Sequence, residues 1–275
     1  MNITAEHIGR FAREALEQEA RLSPKPGLVD AENCGAHADM DLELLLRSAN
    51  ALEPYFVGFA AQGIADAALS PDGRIAIVRE QGREAERAMF AATDGVNTHK
   101  GALFLLGSLC YAAGHCVAND KYSAEQVCAT AARFCGGITN ELGESAGRAF
   151  ARYGARGARG EVEDGFPHVL DALKSYRQAI SLGAAQSDAW LLALLALIKT
   201  LDDANVLARC GEETAQTLRE RAGEIASRYP AGGKKMQDEI RALDRECIAL
   251  RASPGGAADV LACAMFLHAL AQNDV

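Results

Sequence analysis

The segment GVNTHKG (95–101) places polar and charged side chains directly before the apolar stretch ALFLLG. Between its glycines stand Asn97, Thr98, His99 and Lys100. A lysine at the start of a helix opposes the helix dipole, and a bound anion would offset that cost. His99 by itself is most simply a structural histidine, but its neighbours favour a binding or catalytic segment.

A second segment, GAHADMD (35–41), alternates His37, Asp39 and Asp41. In extended backbone these three side chains would point to one side, as in a hard-metal site or an acid–base cluster. The alternative is that Asp41 caps the following helix and that Asp39 is solvated. Upstream, Lys25 lies between two prolines, which hold it on a stiff extended segment.

The segment SPGGAADVLA (253–262) begins an apolar helix with two glycines in its first turn. Ser253 is a good N-cap, and Gly255 and Gly256 would let a phosphate approach the backbone N–H groups. An ordinary helix cap explains the pattern equally well. Asp259 follows one turn later, and a carboxylate beside a phosphate requires a cation between them, which predicts Mg²⁺.

Two more segments, YGARGARGE (153–161) and DDANVLAR (202–209), carry side chains suited to phosphate or metal. These side chains are Arg156, Arg159, Asp202, Asp203, Asn205 and Arg209. An arginine in a glycine-rich loop can bind phosphate through two N–H groups, although a solvated arginine is the commoner case.

Helical periodicity covers nearly the whole chain, and no convincing alternating strand interrupts it. The predicted helices span 4–22, 41–63, 74–91, 101–117, 123–141, 144–153, 168–182, 187–201, 212–228, 234–251 and 255–272. We predict an all-α fold, a single multi-helix domain spanning 1–275, with functional loops at helix N-termini. The connections 22–41, 93–101, 153–167, 201–211 and 253–256 hold more glycine and charge than a plain bundle needs.

Composition disfavours several classes of protein. The formal charge of −9 disfavours a nucleic-acid-binding surface, so an anion would be held by local cations, backbone N–H groups or a metal. Eight cysteines without a CxxC pair disfavour a zinc ribbon. The acidic, amphipathic start does not resemble a signal peptide, and the apolar runs 102–113 and 189–198 are shorter than the roughly 20 residues that span a membrane. We expect a cytoplasmic protein with reduced thiols and no membrane partner.

Taken in order, the motifs resemble the triphosphoribosyl-dephospho-CoA synthase family, which serves citrate lyase and malonate decarboxylase. The resemblance covers nearly the whole chain through SPKPGLVDAENCGAHADMD, ALEPYF, GVNTHKGALFLLG, YGARGARGEVEDGFP, DDANVLARCGEE and SPGGAADVLA. The chain departs from the family at Ala204, where threonine is usual, and at Asp94, where a glycine or another residue is common.

The resemblance implies a pentosyltransferase. It would transfer the 5-triphosphoribosyl group of ATP to the ribose 2′-hydroxyl of 3′-dephospho-CoA, release adenine, and make the prosthetic-group precursor of an acyl-carrier subunit. The glycosyl centre would pass through an oxocarbenium-like transition state. Two alternatives stay open: a transferase of this family with another acceptor, for example in pterin cofactor biosynthesis, and a non-catalytic nucleotide-binding protein. A homodimer also stays open.

This reaction divides the candidate residues into three groups. The predicted proton-transfer and charge-stabilising residues are His99, His37, Asp39 and Asp203. The predicted ATP-binding residues are Lys25, Asn97, Lys100, Arg156, Asn205, Arg209, Ser253, Gly255 and Gly256. The predicted Mg²⁺ ligands are Asp39, Asp41, Asp203 and Asp259.

Overall fold

The computed structural model describes residues 3–119, 123–141 and 151–272, and the regular structure in these ranges is entirely helical. The α-helices are α1 Ala5–Arg21, α2 Leu42–Ala65, α3 Arg79–Ala92, α4 Lys100–Val117, α5 Ala124–Phe134, α6 Gly157–Glu163, α7 Pro167–Ser181, α8 Gln186–Thr200, α9 Ala204–Arg228, α10 Lys234–Leu250 and α11 Gly255–Gln272. Two short 3₁₀ helices, Arg74–Val78 and Ile138–Glu141, complete the set. The prediction of an all-α fold is confirmed.

The helix α1, at the start of the described chain, packs against the last helix, α11. Its start is fixed by a capping box, in which the Thr4 side chain accepts the N–H of His7 (3.4 Å) and His7 Nδ1 accepts the N–H of Thr4 (3.2 Å). One face of α1, with Ile8 and Leu16, is buried, and the helix packs against α2 and α11. This packing brings the segment after α1 close to the start of α11.

The most apolar helices, α4 and α11, form the centre of the hydrophobic core. Both are long and apolar enough to cross a membrane by length and composition alone, but 72% and 56% of the respective segments are buried inside the protein. The two helices also pack against each other. This burial is typical of core helices, and it leaves their N-terminal ends to form a site with neighbouring loops.

Several predicted boundaries differ from the structure. The predicted helix 74–91 begins as the 3₁₀ helix Arg74–Val78 before α3. The predicted helix 123–141 is interrupted after Phe134, where Gly137 has a φ of 82° that ends the α-helix. Most of the predicted helix 144–153 lies outside the described residues, and 151–153 are helical.

Two segments predicted as loops contain helix. Within 153–167 lies α6, which buries Val162 completely, and the glycines of the segment concealed this helix from a propensity argument. Within 201–211 the helix α9 begins at Ala204 and breaks at Gly211, where φ is 80° and ψ is 177°. The predicted helix 212–228 is therefore the second part of α9, which continues beyond Gly211 to Arg228.

Cysteine behaves as a core residue in this fold. All eight thiols are free, and six of them are buried, whereas Cys34 is exposed and Cys210 is partly exposed. Burial raises the pKa of Cys135 and of Cys247 to about 12, which keeps both as uncharged thiols. Buried thiols of this kind act as small apolar side chains.

Candidate active site

A pocket of about 710 Å³ lies where the starts of α4, α9 and α11 meet α3 and α6. Six of the predicted site residues line it: Lys100, Arg156, Asp203, Asn205, Gly256 and Asp259. They come from four of the five motif segments, which lie far apart in sequence. The remaining segment, 22–41, does not line the pocket.

Asp259 lies half-buried against the start of α4. A Cβ atom on Gly101 would lie 2.1 Å from the Asp259 Oδ2 atom, so the close approach of this carboxylate requires the glycine. Burial raises the pKa of Asp259 well above its ordinary value, and the Glu19 and Asp203 carboxylates raise it further. A cation among these carboxylates would remove this repulsion.

Asp203 joins the starts of two helices. Its Oδ1 atom accepts the N–H groups of Asn205 (2.9 Å) and Val206 (3.3 Å), which begin α9. Its Oδ2 atom accepts the N–H of Ala257 (3.1 Å), and the carboxylate also interacts with the N–H of Gly256. These α11 N–H groups were predicted to bind phosphate, and the structure corrects this, because a carboxylate of the same chain already occupies them. Burial nevertheless raises the pKa of Asp203.

A second polar cluster lies outside the pocket and centres on His37. Its Nε2 atom is 2.8 Å from the Ser253 hydroxyl, and its Nδ1 atom is 3.7 Å from Asp39 Oδ1. Burial and the neighbouring Arg209 lower the pKa of His37. Ser253 is buried against this histidine and does not line the pocket, so its hydroxyl is not available to a ligand there.

The four predicted metal ligands form two separate pairs. Asp41 caps α2 by accepting the N–H of Leu44 (2.8 Å), as in the alternative interpretation, and Asp39 has a side chain that is 64% exposed. Asp203 and Asp259 both line the pocket, which Asp39 and Asp41 do not. Within the described part of the chain, no group of three or more His, Cys, Asp or Glu side chains is placed to hold a metal by itself. The four predicted ligands therefore do not meet in one place, and the Mg²⁺ site itself stays a prediction.

Lys100 lies at the mouth of the pocket. Its Nζ atom is 2.5 Å from Glu86 Oε1, and its side chain is 54% exposed. Asn97 accepts the backbone N–H of Lys100 (3.3 Å), so this side chain helps to begin α4 rather than facing the pocket. Gly255 also lies outside the pocket lining, and a Cβ atom there would be 3.0 Å from the Asn205 amide nitrogen.

His99 is buried behind the start of α4. Its Nδ1 atom is 2.8 Å from the Ser48 hydroxyl, and its backbone N–H points at the Met89 sulfur (3.4 Å). Burial, and then the charge of Lys25, lowers the pKa of His99 to about 4, so the imidazole is neutral near pH 7. His99 does not line the pocket, and its predicted role as the base stays a prediction.

Lys25 is inside the protein. Its side chain is 1% exposed, and its Nζ atom lies 2.6 Å from Glu19 Oε1 and 2.7 Å from the Glu19 carbonyl oxygen. Its backbone N–H donates to Asp30 (2.8 Å), which helps to turn the proline-rich segment inward. The ammonium group of Lys25 already has a buried carboxylate partner and does not line the pocket, which favours a structural role, and its predicted role in phosphate binding stays a prediction.

Sequence reasoning assigned no role to the arginines of α3. Arg79 and Arg83 line the pocket together with Arg159. Arg156 lines it too, and its guanidinium group forms two hydrogen bonds to the Asp164 carboxylate. The spacing of four residues between Arg79 and Arg83, which places them on one helix face, was the available signal. This signal is weak, because charges on a periodic helix are usually solvated.

Comparison with known proteins identifies the family of this chain. The sequence model of the ATP:dephospho-CoA triphosphoribosyl transferase family matches residues 5–275. A crystal structure described as that of a triphosphoribosyl-dephospho-CoA synthase from Archaeoglobus fulgidus is similar over 81% of this chain and 96% of its own, with a TM-score of 0.55 and 19% identity, which shows a shared fold. The match over nearly the whole chain shows that this protein belongs to the ATP:dephospho-CoA triphosphoribosyl transferase family, whose members transfer the triphosphoribosyl group of ATP to dephospho-CoA.

Proposed function

We propose that the pocket at the start of α4 binds ATP and is the place of triphosphoribosyl transfer. The observation that supports this is that Lys100, Asp203 and Asp259, from three motif segments, line one pocket. In the reaction, the acceptor 2′-hydroxyl oxygen forms a bond to C1′ of the ATP ribose, and the bond from C1′ to the adenine nitrogen breaks. Adenine leaves with that electron pair, the hydroxyl loses its proton, and the triphosphate stays intact.

Mg²⁺ fits the Asp259 end of this pocket. Mg²⁺ is usually bound through one or two carboxylates together with substrate phosphates, and it keeps several waters. Burial and the Glu19 and Asp203 carboxylates favour the neutral form of Asp259, and a bound Mg²⁺ would favour its charged form and join it to a triphosphate. Asp203 already accepts several N–H groups, and we therefore assign Asp259 to the ion and Asp203 to positioning of the two helices.

Cationic side chains at the pocket mouth would hold the triphosphate. Lys100 and Arg156 pair with Glu86 and Asp164 in exposed positions, and such surface pairs contribute only about 0–1 kcal/mol. A phosphate can therefore replace either carboxylate at low cost. Asn205, which lines the pocket, would extend this binding surface, whereas the predicted ligand Arg209 neighbours His37 and does not line the pocket.

His99 remains our proposed proton acceptor. Its lowered pKa keeps it neutral near pH 7, as a base must be, although it also makes the imidazole a weaker base, and His99 precedes Lys100, which lines the pocket. We expect His99→Gln to lower kcat about 10²- to 10⁴-fold with ATP affinity nearly unchanged. Normal turnover with a lower melting temperature would instead assign His99 to the structure around Ser48, and His37→Gln tests the rival base.

We further propose that the product is the prosthetic-group precursor for an acyl-carrier subunit of citrate lyase or malonate decarboxylase, and that the enzyme works in the cytoplasm. The free thiols support a reducing compartment. The test is mass spectrometry of a reaction with ATP, Mg²⁺ and dephospho-CoA. We expect free adenine and an acceptor that gains a triphosphoribosyl group. Adenine release only with another acceptor would change the substrate, and no release with any acceptor would favour a non-catalytic protein.

A further inference from the structure

The pocket extends along α4, and its two ends differ in chemistry. Lys100 and Ser108 both line it, and eight residues at 1.5 Å rise place them about 12 Å apart along the helix. Lys100 and Asp259 mark the first end. At the other end Ser108 accepts a hydrogen bond from Cys135 (3.3 Å), just before the 3₁₀ helix Ile138–Glu141. We call the part near Ser108 the far end.

Guanidinium groups gather at the far end around one short segment. Arg79 forms an ion pair with the Glu141 carboxylate (2.7 Å), and Arg159 donates to the Glu141 backbone carbonyl. Arg83 also lines the pocket, one turn after Arg79 on α3. Glu86, which pairs with Lys100 at the first end, lies seven residues after Arg79, or about 10 Å along α3. Arg79 is therefore set apart from Lys100, and Arg83 lies between Arg79 and Glu86 on α3.

The far end also has apolar walls. Beside the arginines the pocket is lined by Ile75, Val78, Phe134 and Ile138. Apolar residues such as Leu201 and Val260 also line the pocket near Asp203 and Asp259, so it is the arginines that distinguish the far end. A ligand that fits the far end therefore combines an anion with a long, uncharged, partly apolar portion.

The two substrates differ in the same way. The triphosphate of ATP carries a terminal phosphate and binds divalent metal strongly, which suits the carboxylate end. Dephospho-CoA carries a diphosphate esterified on both sides and a mostly uncharged pantetheine arm, and arginine can bind such an anion directly through paired N–H groups. Building on the proposed function, we propose that the far end of the pocket binds dephospho-CoA, with Arg79 and Arg159 on its diphosphate and the pantetheine arm against the apolar wall.

Glu141 takes the place of the diphosphate when the substrate is absent. Its side chain is 47% exposed, so its ion pair with Arg79 is a surface pair that a diphosphate can displace at little cost. The adenosine ribose of dephospho-CoA then lies between the two ends of the pocket.

The test measures adenine release while each substrate is varied with the other saturating. We expect Arg79→Gln and Arg159→Gln to raise the KM for dephospho-CoA about tenfold or more, because each loses a charge-assisted contact, and to leave the KM for ATP within about twofold. Lys100→Gln should do the opposite. The matched control is Arg87→Gln, since Arg87 is an exposed α3 arginine that pairs with Glu80 and does not line the pocket.

Two results would overturn this assignment while wild-type activity stays intact. One is a rise in the KM for ATP, not dephospho-CoA, in the Arg79 and Arg159 variants, which would put the triphosphate at the far end. The other is no change in either KM. Arg79→Lys keeps the charge, and partial recovery of the KM would exclude a folding defect as the cause. If the wild-type protein releases no adenine at all, the proposed function fails instead, and the two failures are thereby distinguished.

Discussion

The buried ion pair between Lys25 and Glu19 gives the sharpest stability prediction. The Lys25 side chain is 1% exposed and that of Glu19 is 8% exposed, and the nitrogen lies 2.6 Å from the carboxylate oxygen. Lys25→Met would leave Glu19 charged and unpaired inside the protein, beside Asp259. Breaking a buried pair on one side costs about 3–5 kcal/mol. In a protein of this size, each kcal/mol shifts Tm by roughly 2–4 °C, so we expect Tm to fall by about 6–20 °C.

Calorimetry or circular dichroism of three variants checks this reasoning. Lys100→Met is the matched control, because its pair with Glu86 is exposed and should cost no more than about 1 kcal/mol. The double variant Lys25→Met with Glu19→Leu removes both charges, and it should recover most of the lost stability. A Tm for Lys25→Met within about 2 °C of the wild type, with ATP affinity lost, would refute the structural role and restore Lys25 as a phosphate ligand.

Three further predictions follow from the site. ATP binding measured by titration calorimetry should be lost or much weakened in EDTA, because Mg²⁺ would join the charged form of Asp259 to the triphosphate; equal affinity would contradict the metal assignment. Gly101→Ala would bring a Cβ atom to 2.1 Å from Asp259 and should weaken ATP binding about tenfold or more, whereas Gly82→Ala, in the same pocket with no atom within 4 Å of the added Cβ, should not. A hydrogen bond from the imidazole of His168 to the Glu161 carboxylate raises the pKa of His168, so the stability that His168 contributes is complete below about pH 6.5 and is lost as the pH rises through the raised pKa. The difference in unfolding free energy between the wild type and His168→Gln should accordingly be larger at pH 6 than at pH 9, and an equal difference would contradict this.

The helices were largely predictable because burial imposes a period on the sequence. The apolar faces of α1, α4 and α11 recur at helical spacing, so these helices were placed within a few residues of their bounds. The helix α6 and the first turns of α9 were not predicted, because their stability comes from tertiary contacts. In α6 the backbone includes glycines at unfavourable positions, and in α9 the initiating group Asp203 is anchored by another helix. Helix propensity depends on local sequence only, and it therefore reflects neither of these tertiary contacts.

The sequence predicted which segments contribute to the site better than it predicted how their side chains are arranged. Motif order identified the segments that meet, since Lys100, Asp203 and Asp259 do line one pocket. Sequence spacing could not tell which charges find partners within the chain. Lys25 and Glu19 lie six residues apart and pair in the core, and Asp203 reaches the N–H of Ala257 across 54 residues. Tertiary packing determines these partners. A residue that the sequence suggests as a ligand-binding group can therefore stabilise the fold instead.

The carboxylate of Asp203 also has a consequence for how the protein opens. Amide hydrogens exchange with solvent only when their hydrogen bonds break, and amides whose bonds break together exchange in a single event. The amides of Asn205, Val206 and Ala257 all depend on this one side chain. A movement of Asp203 away from its place would release them at once, although they belong to helices that are separate in sequence. The starts of α9 and α11 therefore form one cooperative unit, and a ligand bound between them would slow exchange at both.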